Sequence, residues 1–165
     1  MLTQQELNRL LNYDPDTGHW EWLVSTSMRV KVGDRAGYTR HDGYLCIRIH
    51  TVLYLAHRLA WLYVNGHFPS AGIDHIDRNK ANCRLSNLRP ATQSQNMRNR
   101  RHSPLNTSGY RGVYWEERKG KWFAKIVVER KQIHLGYFLD PKDADAAYQT
   151  AAKKLHGEFV PIITP

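Results

Sequence analysis

The chain of 165 residues has few cysteines and no long apolar run. Its two cysteines, Cys46 and Cys83, exclude a disulfide-rich scaffold and cannot hold zinc without help from His or Asp. We therefore expect a reducing, cytoplasmic setting and no zinc site. The longest apolar run, residues 61–64, is far too short to cross a bilayer. Residues 1–9 lack the apolar core of a signal peptide, so we do not expect secretion.

Acidic residues are scarce beside basic ones. Fifteen Asp and Glu accompany 24 Lys and Arg, which gives a formal net charge of +9. A soluble chain with this excess is a candidate for binding a polyanion, although positive charge also aids solubility. Aromatic residues are interleaved with the basic ones and can stack on bases, so nucleic acid is favoured over a membrane surface as the partner.

One segment combines an acid, a histidine and two asparagines. Asp74 and His75 are adjacent, and Asn87 and Asn96 follow at separations of 12 and 9 residues. A neutral imidazole at position 75 suits a general base, and the oxygens of Asp74 and Asn96 suit a hard divalent cation. Each residue alone is more often structural, but the combined spacing favours a site. Neighbours on a strand point to opposite faces, so we expect an irregular backbone at Asp74 and His75.

The same segment predicts a ββα unit. Residues 73–77 and 87–91 are typical of strands that flank a polar loop. Thr92 and Gln95 form a capping box that starts a helix carrying Asn96. Folding of the helix against the strands would bring Asn96 to the acid and the histidine, and Asn87 would hold the loop.

Residues 53–99 resemble the HNH endonucleases of phage and intron-encoded homing type, in a His-Asn-Asn variant. The matching residues are 56–61, 73–77, 79–80, 84–89 and 95–96. The resemblance implies that His75 is the general base, that Asp74 and Asn96 bind Mg²⁺ or Mn²⁺, and that Asn87 supports the site. It also implies 5′-phosphate and 3′-hydroxyl products. Cys83 departs from the polar amide residue of many relatives.

The residues around this unit give further expectations. Helices are predicted from Gln4 to Asn12 and over residues 56–65, and residues 1–52 look like a strand-rich extension of the nuclease module. His57 and Arg58 are either a phosphate contact near the scissile bond or the polar side of an ordinary helix. Residues 97–108 read as a basic linker, whose DNA-binding candidates are Arg98, Arg100 and Arg101.

The last third predicts three strands and a helix. The strands are expected at residues 111–117, 121–129 and 132–138, and the helix over residues 141–156. The helix would cover one sheet face with a stripe that ends at Leu155. The other face is left open, with polar and positive groups on it.

Residues 106–158 resemble the APETALA2/ERF type of DNA-binding domain, best known from plants; we place the domain at residues 109–158. The matching residues are 109–113, 121–126, 135–138 and 144–152. That family lays its sheet in the major groove of DNA. The resemblance implies base-reading positions at Arg111, Tyr114, Glu116, Lys125, Val127, Gln132 and His134, while Arg118 would touch phosphates.

Together these patterns predict an α+β chain in which a ββα-metal (HNH) nuclease module at residues 53–99 precedes a three-stranded antiparallel sheet packed on one helix. The expected function is metal-dependent cleavage of double-stranded DNA by a monomer, or by a dimer, without an organic cofactor. The alternatives are a non-catalytic, sequence-specific DNA-binding regulator and a nonspecific defence or DNA-processing nuclease.

Overall fold

A computed structural model describes residues 2–99 and 106–159, with only the backbone of Glu158. The chain divides into two compact units, Met1–Asn96 and Met97–Pro165. Each unit has its own hydrophobic core.

The first unit begins with a helix and a small hairpin. Helix α1 (Gln4–Leu10) starts at the Thr3 cap, whose hydroxyl accepts a hydrogen bond from Glu6 N at 3.2 Å. The predicted helix to Asn12 is two residues too long. Strand β1 (Leu11–Tyr13) begins instead, because it pairs with β2 (Trp20–Trp22) and both strands turn alternate side chains into the core.

A three-stranded antiparallel sheet and the longest helix of this unit follow. The strands are β3 (Tyr38–Thr39), β4 (Leu45–Ile49) and β5 (Val52–Leu55), with β4 in the centre. Helix α2 (Ala56–Asn65) starts directly after β5. It ends at Gly66, which has the left-handed conformation that glycine adopts without steric cost. The alternation of Leu45, Ile47 and Ile49 in the sequence is typical of the strand found at β4.

The predicted ββα unit completes the first unit. Strand β6 (Gly72–His75) pairs antiparallel with β7 (Leu88–Ala91), and helix α3 (Gln93–Arg98) follows. Both hydrogen bonds of the expected capping box are present. Thr92 N donates to Gln95 Oε1 at 2.7 Å, and Gln95 N donates to Thr92 Oγ1 at 3.3 Å. The site segment shares one core with the hairpin, the central sheet and α2.

The second unit is a sheet covered by a helix. Strands β8 (Val113–Glu116), β9 (Lys121–Val128) and β10 (Lys131–Phe138) form an antiparallel sheet with β9 in the centre. Helix α4 (Pro141–His156) is capped by Asp140, whose carboxylate accepts a hydrogen bond from Lys142 N at 2.8 Å.

The face of α4 that packs on the sheet differs at its end from the prediction. The buried stripe is Ala144, Tyr148, Ala152 and His156, whereas Leu155 is 39 % exposed. Residues four apart lie nearly in line on a helix, so the stripe that starts at Ala144 reaches position 156. The expectation for Leu155 was therefore wrong.

These elements confirm the predicted α+β fold class, with its ββα unit, three-stranded antiparallel sheet and covering helix. None of the helices in the described part of the chain is long and apolar enough to span a bilayer.

Candidate active site and nucleic-acid interface

Asn87 holds the loop between β6 and β7. Its Nδ2 donates to Asp77 Oδ1 and to the carbonyl of Asn82, both at 2.9 Å, and its Oδ1 accepts from Asp77 N at 3.0 Å. The backbone of Asn87 also accepts from Ile76 N at 2.9 Å. A buried amide engaged on both ends fixes the backbone around it. The structure thus puts Asn87 in contact with the loop that follows His75.

The amino-terminal hairpin braces this loop from outside. Tyr13 Oη donates to the Cys83 carbonyl at 2.6 Å, and Leu85 N donates to the Pro15 carbonyl at 2.9 Å. A Cβ at Gly18 would come within 2.5 Å of Arg84 N, so only glycine permits this approach. These contacts were not predicted, because the hairpin residues carry no recognisable chemistry.

Asp74 forms a buried ion pair with Arg89. The two residues are direct cross-strand partners in β6 and β7, and Asp74 Oδ2 accepts from Arg89 Nε at 2.9 Å and from Nη2 at 2.7 Å. Their side chains are 8 % and 13 % exposed. The sequence placed Arg89 in the motif but assigned it no role. The pairing with Asp74 could be predicted from strand register, since position 89 lies opposite position 74 once the two strands are aligned.

Asn96 lies on the same side of β6 as Asp74. A Cβ at Gly72 would be 3.2 Å from Asn96 Nδ2, so Asn96 approaches the face to which position 72 points. Residues two apart on a strand share a face, which puts Asp74 on that side as well. Carboxylate and amide oxygens are ligands that Mg²⁺ and Mn²⁺ accept, so this pair fits a hard divalent ion.

The described residues contain no metal site built only from His, Cys, Asp and Glu side chains. No three His, Cys, Asp or Glu side chains there cluster closely enough to hold a metal ion. Burial raises the pKa of Cys83 to about 12 and also raises that of Cys46.

His75 extends from the opposite side of β6, toward two other rings. The ring centroid of His57 lies 4.8 Å from that of His75 with the planes at 84°, and the Tyr44 centroid lies 6.0 Å from His75. The expected irregular backbone is not found in β6, which stays paired with β7 through His75. A regular strand separates the histidine from the acid because adjacent residues alternate in direction.

Burial keeps both histidines neutral. The pKa of His57 is lowered to about 3, first by burial and then by His75 and Arg58. The pKa of His75 is also lowered, chiefly by burial, although Asp77 and Asp74 oppose this and Lys80 adds to it. A neutral imidazole can accept a proton, which a general base must do.

The neighbours of this pair differ in exposure and charge. His57 is buried and neutral, so it offers no positive charge to a phosphate. The Arg58 guanidinium lies 5.7 Å from the Phe68 ring centroid. The exposed Lys80 donates to the Asp42 carbonyl at 3.0 Å, with its ammonium 4.7 Å from the Tyr44 ring centroid. Lys80 therefore provides positive charge beside the ring cluster.

The second unit presents a sheet face that α4 does not cover, here called the open face. Strand register places side chains there in four cross-strand rows: Glu116 with Lys121, Tyr114 with Phe123 and Tyr137, Lys125 with His134, and Val127 with Gln132. Six of the seven base-reading candidates therefore share this face: Tyr114, Glu116, Lys125, Val127, Gln132 and His134. The opposite face carries the buried Val113, Ala124 and Ile126.

Tyr137 joins the open face because of a β-bulge. The register of β10 shifts between His134 and Gly136, so Tyr137 pairs with Phe123. Its ring centroid lies 4.6 Å from that of His134, and the Lys119 ammonium lies 3.7 Å from it. The sequence reasoning omitted Tyr137 from the candidates. Gly136, a glycine within a strand pattern, was the signal that a bulge was possible.

The arginine candidates of this unit lie outside the strands. The Arg111 guanidinium donates to the carbonyl of Arg98, and Arg118 is exposed in the turn between β8 and β9. Arg100 and Arg101 lie outside the described residues.

Comparison with known proteins agrees with the ββα site. A family model described as HNH endonuclease matches residues 54–98, which include the candidate site residues of the first unit. Protein 3.8 of Escherichia phage T7 is 35 % identical over 104 residues, which is 62 % of this chain and 85 % of that protein. A solved structure, "DNA binding and cleavage by the HNH homing endonuclease I-HmuI", has a TM-score of 0.43 at 20 % identity and covers 89 % of this chain and 85 % of its own.

The chain belongs to the HNH endonuclease family, and its first unit carries the nuclease domain. HNH nucleases generally use a divalent metal ion.

Proposed function

We propose that the protein is a metal-dependent DNA endonuclease of the homing type, in which the first unit cuts the phosphodiester and the open face of the second unit holds double-stranded DNA. The observation that carries this proposal is the division of β6 into two sides. Asp74 and Asn96 share one side, and His75 lies on the other with a depressed pKa.

His75 acts as the general base. Its neutral imidazole takes a proton from a water molecule, and the water oxygen forms a bond to phosphorus. The bond from phosphorus to the 3′ oxygen breaks, and that oxygen gains a proton from solvent water. The products are a 5′-phosphate and a 3′-hydroxyl. The rings of Tyr44 and His57 hold the imidazole of His75 by contact, at 6.0 and 4.8 Å between centroids.

Asp74 and Asn96 would hold the divalent ion, which is Mg²⁺ or Mn²⁺ given two hard oxygen donors. When bound, such an ion stabilises charge on the phosphate and on the leaving oxygen. Arg89 orients Asp74 through two hydrogen bonds to one carboxylate oxygen. Asn87 keeps the β6–β7 loop in place and so fixes the exit of the strand that carries His75.

The second unit supplies affinity for duplex DNA. Residues 111–138 contain seven Lys and Arg and three Glu, so the sheet and its turns attract phosphates. The resemblance of residues 109–158 to the APETALA2/ERF domain supports a sheet laid in the major groove. We assign residues 53–99 to the nuclease module, residues 1–52 to its extension, and residues 97–108 to a basic linker. Arg98, Arg100, Arg101 and Arg58 are the candidate phosphate contacts outside the sheet.

Relaxation of supercoiled plasmid tests the proposal. Wild-type protein should nick DNA with Mg²⁺ and not with EDTA, and His75→Ala should abolish nicking while DNA binding by gel shift persists. The DNA should include a phage genomic pool, in case a specific site is required. His67→Ala is the matched control, since His67 is exposed after the end of α2 and should leave nicking unchanged. Equal nicking by wild type and His75→Ala would contradict the role of His75.

Tight binding without cleavage on any DNA, with any divalent metal, would instead support a DNA-binding regulator. Mapping of the cut sites separates the homing type from a nonspecific nuclease. A few recurrent positions are expected from the proposal, and evenly scattered cuts would contradict targeting by the sheet.

A further inference from the structure

The open face carries no arginine in its four rows. These rows contain aromatic, aliphatic and amide side chains together with Lys121, Lys125 and Glu116. Arg111, the only arginine among the base-reading candidates, donates to the carbonyl of Arg98. Arginine or lysine on guanine is the commonest specific contact in the major groove, so the guanine-reading groups of this face are confined to the rows of Lys121 and Lys125.

One row of this face pairs an aliphatic group with an amide. Val127 in β9 and Gln132 in β10 are direct cross-strand partners, so their side chains lie side by side. Val127 is 51 % exposed and Gln132 is also exposed. This pair lies at the end of the strands, near the Glu129–Arg130 turn.

The two side chains match the two halves of one base pair. In the major groove, thymine shows a C5 methyl group, which apolar side chains contact, and adenine shows N6 and N7, which glutamine contacts through both ends of its amide. Basic residues at the neighbouring turn, Arg130 and Lys131, are exposed and can meet the flanking phosphates.

We propose that Val127 and Gln132 together read an A·T base pair, with Val127 against the thymine methyl group and Gln132 on adenine N6 and N7. This inference rests on the proposed binding of duplex DNA by the open face, and it adds the base that one row recognises. It makes A·T pairs, rather than G·C pairs, the preferred content of the target at this row.

Lys125 is the polar neighbour of this row. Its ammonium lies 4.8 Å from the Tyr114 ring centroid and donates to Gln132 Oε1 at 3.4 Å, and in the complex adenine N6 would replace Lys125 as the donor to this oxygen. The ring of His134 stacks near Phe123, at 5.9 Å between centroids. Glu116, the acid of the face, is in the row farthest from Val127. The Val127–Gln132 row itself therefore contains neither a basic side chain nor an acid.

The test uses the full-length protein in EDTA, which prevents cleavage, and a random duplex pool from which bound sequences are enriched. The enriched sequence should contain an A·T pair whose replacement by G·C weakens binding. At that pair, deoxyuridine in place of thymidine removes only the methyl group and should weaken wild-type binding about fourfold, the worth of one buried methyl group. 7-Deazaadenine removes only N7 and should weaken it about tenfold.

The variants assign each effect to a side chain. In Val127→Ser the deoxyuridine effect should vanish and the 7-deazaadenine effect should remain; in Gln132→Ala the reverse is expected. Val52→Ser is the matched control, because Val52 is also a strand valine, 49 % exposed, and lies in the first unit. It should keep both effects.

Two failures can be told apart. If the protein binds duplex DNA but deoxyuridine is harmless at every enriched position, or both effects persist in the two variants, the inference is overturned and the proposed function stands. If the protein binds no duplex, or binds it unchanged when Lys125 and Arg118 are both replaced by Ala, the proposed role of the open face fails, and the inference fails with it.

Discussion

The buried ion pair between Asp74 and Arg89 should dominate the response of the first unit to mutation. Both side chains are almost removed from solvent, so Arg89→Met leaves a carboxylate buried without its main charge partner. Loss of one partner of a buried pair costs about 3–5 kcal/mol, a large part of the 5–15 kcal/mol that typically stabilises a domain. With a urea m-value of about 1–3 kcal/mol/M, the midpoint should fall by at least about 1 M.

The assay is urea unfolding of the full chain, followed by hydrogen-exchange mass spectrometry of peptides from residues 2–96. Arg40→Met is the matched control. Arg40 pairs with Asp42 at 2.8 Å, but its side chain is 37 % exposed, so the loss should stay below about 1 kcal/mol.

The double variant Asp74→Leu with Arg89→Met separates charge from packing. Replacement of both partners by apolar groups removes the unpaired charge, so the double variant should recover most of the stability that Arg89→Met loses. It should still lack nicking activity, since Asp74 is gone. Equal or additive destabilisation in the double variant, or a loss below about 1 kcal/mol in Arg89→Met alone, would refute the reasoning.

Two further predictions concern rings and backbone. His57→Ala should slow nicking about 10- to 100-fold with little change in KM, because His75 loses the ring that packs against it. His57→Phe keeps a ring at this position and should retain most activity. Equal loss in both variants would contradict a packing role for His57. Gly112→Ala should cost at least about 2 kcal/mol in thermal unfolding of the second unit and weaken DNA binding, because its Cβ would meet the Tyr148 ring at 2.4 Å. Gly120→Ala is the control, since the φ of Gly120 is also positive but no atom lies within 4 Å of an added Cβ. This variant should lose only about 1 kcal/mol of stability. An equal loss at both positions would exclude the clash with Tyr148 as the cause.

Local signals in the sequence predicted most of the elements. The Thr92–Gln95 capping box involves residues three positions apart, so the sequence alone contains its geometry. The first helix was predicted too long because Leu11 continues its apolar pattern. Pairing with Trp22 decides the outcome there, and a contact between strands is not a local property.

The sequence identified candidate residues of the site, but it did not predict how their side chains are arranged. The spacing of Asp74, His75, Asn87 and Asn96 identified the chemistry, and their assigned roles stay predictions. Arg89 was missed because its importance depends on register, which places it opposite Asp74. Tyr137 was missed because a single extra residue at the bulge reverses which side chains face outward.

The residues that hold the site in place lie mostly outside the motif. Tyr13 and Pro15 bond to the backbone of the β6–β7 loop, Gly18 permits their approach, and Lys80 bonds to the carbonyl of Asp42. A loop that carries few apolar side chains cannot fix its own shape by burial, so hydrogen bonds from neighbouring elements must do so. Residues 1–52 carry no recognisable chemistry, but they belong to the same compact unit as the nuclease domain and supply these hydrogen bonds. A nuclease module cut at residue 53 would keep every motif residue and lose the hairpin that braces their loop.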